Sequence, residues 1–457
     1  MLTTTGLGVQ PEPLLKQSDI GSSAWWQQVA QQGTPLFCQQ DAQHCLLTFL
    51  WREPVTVSDT ACYSHVFIDL YSKTPHPTEQ LTSLQKFGQT NVWFWQITVP
   101  NDWCGSYFLM PVTQQQAPPP PEQNGQQNKQ KIRHWWINTM QQQAQTDRFN
   151  HLPMHQGSWG MPLSQVQLPQ ADVLPVWQRF DQGICPALQG RVTEQQWQSR
   201  LLGNQRRIWI YCSDAGGTNQ PQADQPQTDL PLVIVLDGQY WAQHMPVFGP
   251  LDELTRQQKL PPAVYVLIDC IDPEHRAQEL PCNAPFWQAI QQELLPQVLQ
   301  QQPFTDNPQK TIVAGQSFGG LAALYAGLFW PDRFGAVLSQ SGSFWWPDSH
   351  LPEQTGWLIQ QVITQKKPAI PLQIYQEIGC YEDSMLADNQ RMSHALQDVG
   401  HQVFYQEFRG GHDWICWRNG LLKGLIYLLN HQIESLESMQ EQPINLHAQV
   451  THYESII

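Results

Sequence analysis

Val313-Ala314-Gly315-Gln316-Ser317-Phe318-Gly319-Gly320-Leu321 is the stretch that decides the fold. Thr311 to Ala314 form a β-rich apolar run and read as a strand. A G-x-S-x-G pentad follows, and Leu321 to Gly327 then reads as a helix. Strand, sharp turn and helix in that order force the central serine into a strained backbone conformation and expose its hydroxyl at the edge of a sheet. Gly315 and Gly319 are needed because a side chain there would collide across the turn. The pentad alone occurs by chance in many chains, and the plain alternative is a Gly-rich β–α connection. The flanking strand and helix favour a nucleophile elbow with Ser317 at its tip.

A serine hydroxyl is a poor nucleophile at neutral pH. It needs a base to take its proton and a third group to orient that base. On an α/β-hydrolase sheet these follow the serine in the order acid, histidine, on loops after later strands. His412 follows the last predicted strand, Val403 to Phe408, and the glycines at 410 and 411 let its loop fold back. His394 and His401 lie on or beside a predicted helix and read as surface residues. For the acid, Glu377, Glu382, Asp383 and Asp388 compete. Glu377 falls within a strand and Asp388 within a helix, whereas Glu382 and Asp383 share the turn, and spacing alone does not separate them. Any of these carboxylates also suits a helix N-terminus. The oxyanion formed on ester attack needs two aimed N–H groups. Phe318, next to the nucleophile, supplies one; the loop Leu236-Asp237-Gly238-Gln239 supplies the other, with Gln239 N–H the candidate.

Outward from the elbow, residues 190–435 alternate strand and helix, the mark of an α/β sheet with crossover connections. Strands are expected at Arg207–Ser213, Leu230–Leu236, Ala263–Asp269, Gly335–Gln340 and Leu372–Glu377. A Gln/Pro/Asp-rich insertion from Gly216 to Asp229 should lie on the surface, and Asn283 should cap a helix carrying Phe286, Ile290, Leu294 and Val298 on one face. The N-terminal part, residues 1–185, differs. Cys45–Trp51, His65–Tyr71, Val92–Val99 and Ser106–Val112 are short, β-branched and aromatic segments separated by turn formers, which suggests a small Ig-like β-sandwich. Gln114 to Lys131 is low-complexity and reads as a loop, and His134 to Pro175 as an irregular strap. Residues 436–457 lack periodicity and read as a flexible tail. The β-region holds no nucleophile, phosphate loop or metal cluster. Its default reading is a structural or substrate-covering role, and the hydrolase half alone is expected to cleave a small aryl ester.

With 457 residues, the chain has material for two domains. Its formal charge of −15 argues against nucleic acid and anionic membranes as partners. No run is long enough to span a bilayer, and the N-terminus has neither a basic nor an apolar signal region, so a cytoplasmic location is expected. The ten cysteines are scattered and read as reduced thiols. Neither Cys38 with His44-Cys45 nor His151 with His155 makes a metal set, so no metal and no cofactor are expected.

Taken together, LDGQYWAQHMPV (236–247), PPAVYVLIDCID (261–272), HRAQELPCN (275–283), FWQAIQQELLP (286–296), VAGQSFGGLAALYAGL (313–328), LSQSGSFWWP (338–347) and GGHDWICWRNGL (410–421) resemble the enterochelin (ferric enterobactin) esterases, of the esterase-D-like branch of α/β-hydrolases. The likeness is close over about residues 205–430 and weaker at FLWREP (49–54) and NDWCGSYF (101–108). It implies an esterase that opens the trilactone ring of a ferric catecholate siderophore, with an N-terminal β-sandwich, Ser317 as nucleophile, His412 as base and Glu382, rather than Asp383, as acid. The insertions at 114–131 and 216–229 and the Arg409 before Gly410-Gly411 depart from the family pattern without touching the triad. Such a substrate is a large aromatic trianion that an acidic protein must hold locally. Arg276, Arg409 and Arg418 could meet its charge, and Trp345 and Trp346 could stack on its catechol rings. The plain readings are exposed arginines and core tryptophans. The alternative activity is that of a general esterase-D-type carboxylesterase or thioesterase, and the third possibility a binding module with a vestigial hydrolase.

Overall fold

The computed structural model describes residues 13–54, 63–120, 125–157, 160–213, 229–347, 356–365 and 367–438. Most of the insertion beginning at Gly216, Trp159 and the end of the chain lie outside the described residues. The rest falls into two compact units: one up to Asp172 together with Arg409–Ile415, the other from Val173 to Phe408 and from Cys416 on.

The first unit carries eight strands: β1 (Leu36–Gln39), β2 (His44–Arg52), β3 (Tyr63–Leu70), β4 (Ser83–Lys86), β5 (Val92–Pro100), β6 (Cys104–Thr113), β7 (His155–Gln156) and β8 (Pro162–Gln167). Their order is β1-β2-β5-β4-β3-β6-β8-β7. Phe49 of β2 nevertheless meets Tyr107 of β6, ring centroids 4.8 Å apart, and Trp51 of β2 meets Tyr63 of β3 at 5.0 Å. Strands so distant in the order can touch only if the sheet folds over at the four-residue β4, which makes the expected sandwich. The helix Ser23–Gln32 begins at Ser22, whose hydroxyl accepts from Trp25 N–H, and buries Trp25, Trp26 and Val29.

A second helix was not expected. Gly125–Gln143 is helical where the sequence reads as loop and strap. Its composition is polar, but Ile132, Trp136 and Met140 recur every fourth residue and are buried. Trp136 and Met140 pack with Phe67, Phe108 and Met110 of the sandwich. Three apolar residues at helical spacing sufficed, because most of a helix's stability here comes from packing rather than from propensity.

The second unit is built on β9 (Arg191–Ser199), β10 (Asn204–Cys212), β11 (Leu232–Val235), β12 (Val264–Ile268), β13 (Thr311–Gln316), β14 (Ala336–Gln340), β15 (Gln373–Gly379) and β16 (Gln402–Phe408). Their order is β16-β15-β14-β13-β11-β12-β10-β9. Strands β11 to β16 run parallel, while β10 is antiparallel to both β12 and β9. This is the α/β-hydrolase sheet. Every residue of β13 is buried between β11 and β14. Helices Phe318–Phe329 and Ala284–Ala289 pack on the sheet in one apolar core with Val313, Leu321, Phe286 and Trp287. Asn283 caps the latter helix as expected, its side chain accepting from Phe286 N–H.

Candidate active site

Strand β13 ends at Gln316 and the next helix begins at Phe318, so Ser317 alone makes the turn. Its backbone sits at φ 60°, ψ −121°, a conformation that costs a non-glycine residue about 1–3 kcal/mol. Backbone bonds hold it there. Ser317 N–H donates to Gln340 O at 2.9 Å, and Ser317 O accepts from Ser343 N–H at 3.1 Å. A Cβ on Gly315 would lie 2.4 Å from the Gly319 carbonyl carbon, and one on Gly320 would lie 2.9 Å from Gln340 O. The Ser317 hydroxyl is 3.4 Å from that of Ser343. Phe318 opens the helix, so its N–H is one of the unpaired donors of a helix N-terminus.

Beside the elbow, the loop after β11 is pinned by charge. Asp237 has φ 54° and is buried. Its carboxylate accepts from Arg276 Nε at 2.6 Å and Nη2 at 2.8 Å, and from Gln316 Nε2 at 3.2 Å. Arg276 also donates to Gln316 O at 3.2 Å and lies over the Phe318 ring at 5.8 Å. This clamp ties the candidate oxyanion loop to the last residue of the elbow strand. Gly238 runs against the backbone of β12, where a Cβ would come within 2.5 Å of Ile268 N. The Gln239 side chain engages Cys270, its Oε1 accepting from Cys270 N–H at 3.2 Å. The Trp345 ring lies 5.7 Å from that of Phe318 and tilted by 48° to it, and both Trp345 and Trp346 are half-buried.

The four carboxylates that the sequence left in competition have distinct surroundings. Glu382 is buried in the turn after β15; its Oε1 accepts from Gly379 N–H at 2.9 Å and from the Ser341 hydroxyl at 2.6 Å. Ser341 in turn accepts from Trp417 Nε1 at 2.9 Å. Asp383 is exposed and starts the following helix at φ 41°. Glu377 is buried within β15, where burial pushes its carboxyl above the usual range and Gln340 and Gln406 donate to it. Asp388 pairs with Arg391 one helical turn on.

His412 is exposed in the loop between Gly410 and the helix Trp414–Ser438. Its neighbours are anchored in the first unit. A Cβ on Gly411 would lie 1.4 Å from the Ser72 hydroxyl oxygen. Asp413 is buried, and accepts from Ser106 N–H at 2.6 Å and from the Ser106 hydroxyl at 2.8 Å. Burial pushes its carboxyl up to about 6, against the pull of those bonds. Arg409 forms an exposed ion pair with Asp102 at 3.5 Å. Arg418 is different: its side chain is fully buried and holds Asp181 at 2.9 and 2.5 Å, under the Trp177 ring. It is a structural cation, not a ligand for substrate.

Asp237, Ser341, Ser106 and Asp413 were not singled out from the sequence. The first two stand in LDGQYWAQHMPV and LSQSGSFWWP, and the others in NDWCGSYF and GGHDWICWRNGL, but nothing local marks a buried hydrogen-bonding role. Among the described residues no group of three or more His, Cys, Asp or Glu is placed to hold a metal ion, and no helix is long and apolar enough to cross a membrane.

The chain matches two families, one described as putative esterase over residues 213–428 and one as enterochelin esterase, N-terminal, over residues 46–177. It is 43% identical to an iron(III) enterobactin esterase of Dickeya dadantii over 91% of this chain and 95% of that protein. To the enzyme of the same name from Escherichia coli K12 it is 39% identical, over 90% and 96%. Among solved structures, an enterobactin esterase from Shigella flexneri, crystallised in the presence of enterobactin, superposes with a TM-score of 0.77 at 39% identity over 90% of this chain and 99% of that one. A ferric enterobactin esterase from Salmonella typhimurium gives 0.78 at 38% identity, over 90% of this chain and all of the other. The protein therefore belongs to the enterochelin (iron(III) enterobactin) esterase family.

Proposed function

We propose that the protein hydrolyses the trilactone ester bonds of ferric enterobactin, with Ser317 as nucleophile, His412 as general base and Glu382 as the acid that orients the histidine. The observation that carries this reading is the strained Ser317 backbone, φ 60° and ψ −121°, at the one-residue turn between β13 and its helix. His412 takes the Ser317 proton as Oγ attacks the ester carbonyl, and returns it to the departing alcohol oxygen. The N–H groups of Phe318 and Gln239 receive the oxyanion. Water, activated by the same histidine, then releases the acid and frees the serine. Of the two carboxylates in the turn, Glu382 suits the orienting role because it is buried and fixed by Ser341 and Gly379, while Asp383 faces solvent.

The substrate side rests on Trp345 and Trp346 for stacking and on Arg409 and Arg276 for charge. Arg276 keeps part of its surface accessible although its donors are committed to Asp237 and Gln316. We place the activity in the cytoplasm, where thiols such as those of Cys38, Cys185 and Cys380 stay reduced. The test is product analysis over time with the purified protein, ferric enterobactin being compared with a neutral p-nitrophenyl ester. Ring opening with kcat/KM far above that for the aryl ester is expected. Turnover of the aryl ester alone would instead make the protein a general carboxylesterase.

A further inference from the structure

The motif NDWCGSYF in the N-terminal half is left without a role by the chemistry above, yet Ser106 within it touches the residue next to His412. Ser106 sits fully buried on β6, and its carbonyl accepts from Tyr71 N–H at 3.0 Å, which brings Ser72 alongside. The two serines meet the loop on either side of His412: Ser72 against Gly411, and Ser106 against Asp413. Ser106 also lies 2.8 Å from Nε2 of the buried His155. Since the Ser106 hydroxyl donates to Asp413, it accepts from His155, giving a chain His155–Ser106–Asp413. This is not a second triad. The serine rather than the histidine stands in the middle, and all three residues are buried away from any substrate.

We propose that Ser72, Ser106, Gly411 and Asp413 are positioning residues that fix the loop bearing His412, so that the N-terminal sandwich is part of the catalytic apparatus rather than a cover for the substrate. The inference rests on His412 being the base. Both contacts are stiff. Asp413 receives two hydrogen bonds from one residue, a bidentate arrangement that sets orientation as well as distance, and a charged acceptor strengthens each bond. At Gly411 the approach is so close that only hydrogen fits on the Cα. A loop held on both flanks leaves the intervening residue little room to wander, which is what a general base requires. The consequence runs against the expectation that the hydrolase half suffices for small esters.

The experiment uses the full chain and two substrates, ferric enterobactin and a p-nitrophenyl ester. Gly411→Ala should lower kcat about 100-fold for both, the loss expected when a catalytic group moves by about 1 Å, with KM unchanged for the neutral p-nitrophenyl ester, which offers Arg409 no charge to pair with. Ser72→Gly added to Gly411→Ala should restore kcat, because it removes the hydroxyl and the Cβ that the new methyl would strike, leaving Ser72 Cα at 3.6 Å. Asp413→Ala should lower kcat similarly, while Asp413→Asn, which can still accept from Ser106 N–H, should keep most of it. Wild-type kcat in a folded Gly411→Ala, or a loss that Ser72→Gly does not reverse, overturns the proposal. His412→Ala is the separate arm: if it retains wild-type kcat, the assignment of the base has failed, whatever the loop variants do.

Discussion

The elbow and the His412 loop both follow strands of the hydrolase sheet, and both depend on glycines, yet they are held by opposite means. At the elbow the steric constraint is local, although its backbone bonds come from β14 and the loop after it. Gly315 collides in prospect with Gly319, four residues on, and the strained serine is bonded to Gln340 and Ser343 from the neighbouring strand and its loop. The His412 loop is held by residues from the far end of the chain, the Ser106–Asp413 bonds spanning 307 positions. A turn stabilised from within can be read from a nine-residue window. A turn stabilised from outside cannot.

Gly315→Ala should have the largest effect. Its new methyl would meet backbone atoms at 2.4 Å, so no side-chain change can make room, in contrast to Gly411→Ala. Overpacking of this kind should cost about 3 kcal/mol or more, and esterase activity should fall to background even where folded protein is recovered. Thermal melting and aryl-ester assays on Gly315→Ala, with and without companion substitutions, would measure this. Recovery by any neighbouring side-chain truncation would erase the distinction between the two turns.

Next in size is the acid. Glu382→Gln should lower kcat by about 10⁴-fold, less than the ~10⁶-fold expected for removing the serine or the histidine. Asp383→Asn should change it little, since that side chain faces solvent. Steady-state kinetics on both variants decides the matter, and a larger loss from Asp383→Asn would reverse the assignment.

The smallest effect concerns stability. Asp413 titrates in the fold at about 6, above the usual aspartate value near 3.9, so between roughly pH 4 and 6 the native state binds more protons than the unfolded chain. Its contribution to stability therefore falls as pH rises through that window and is level above it. Asp413→Asn removes the titration, so urea unfolding should show a flatter decline over pH 4–6 than in the wild type. An unchanged slope would mean that the carboxyl is not desolvated as its burial implies.

The same contrast explains what was legible. The parallel strands, the elbow and the Asn283 cap announce themselves through apolar runs, glycines and a capping residue. The helix Gly125–Gln143 hid because three apolar residues are scattered through a glutamine-rich segment, and only the sandwich surface reveals their common face. β9 hid because it is an edge strand, five of whose nine residues are exposed. Arg418, which the sequence placed with Arg276 and Arg409, is buried against Asp181, a partner 237 positions away. Glu382 and Asp383 look alike in sequence because what separates them is the Ser341 hydroxyl, delivered by another strand's loop.

The proposed mechanism begins with the activation of Ser317 by His412. It is tested most directly by labelling the full-length protein with a fluorophosphonate and mapping the modified peptide by mass spectrometry. One adduct is expected, on Ser317, formed rapidly in the wild type, competed by ferric enterobactin and slowed by orders of magnitude in His412→Ala. An adduct on a different serine, or labelling of Ser317 at the same rate without His412, would contradict it.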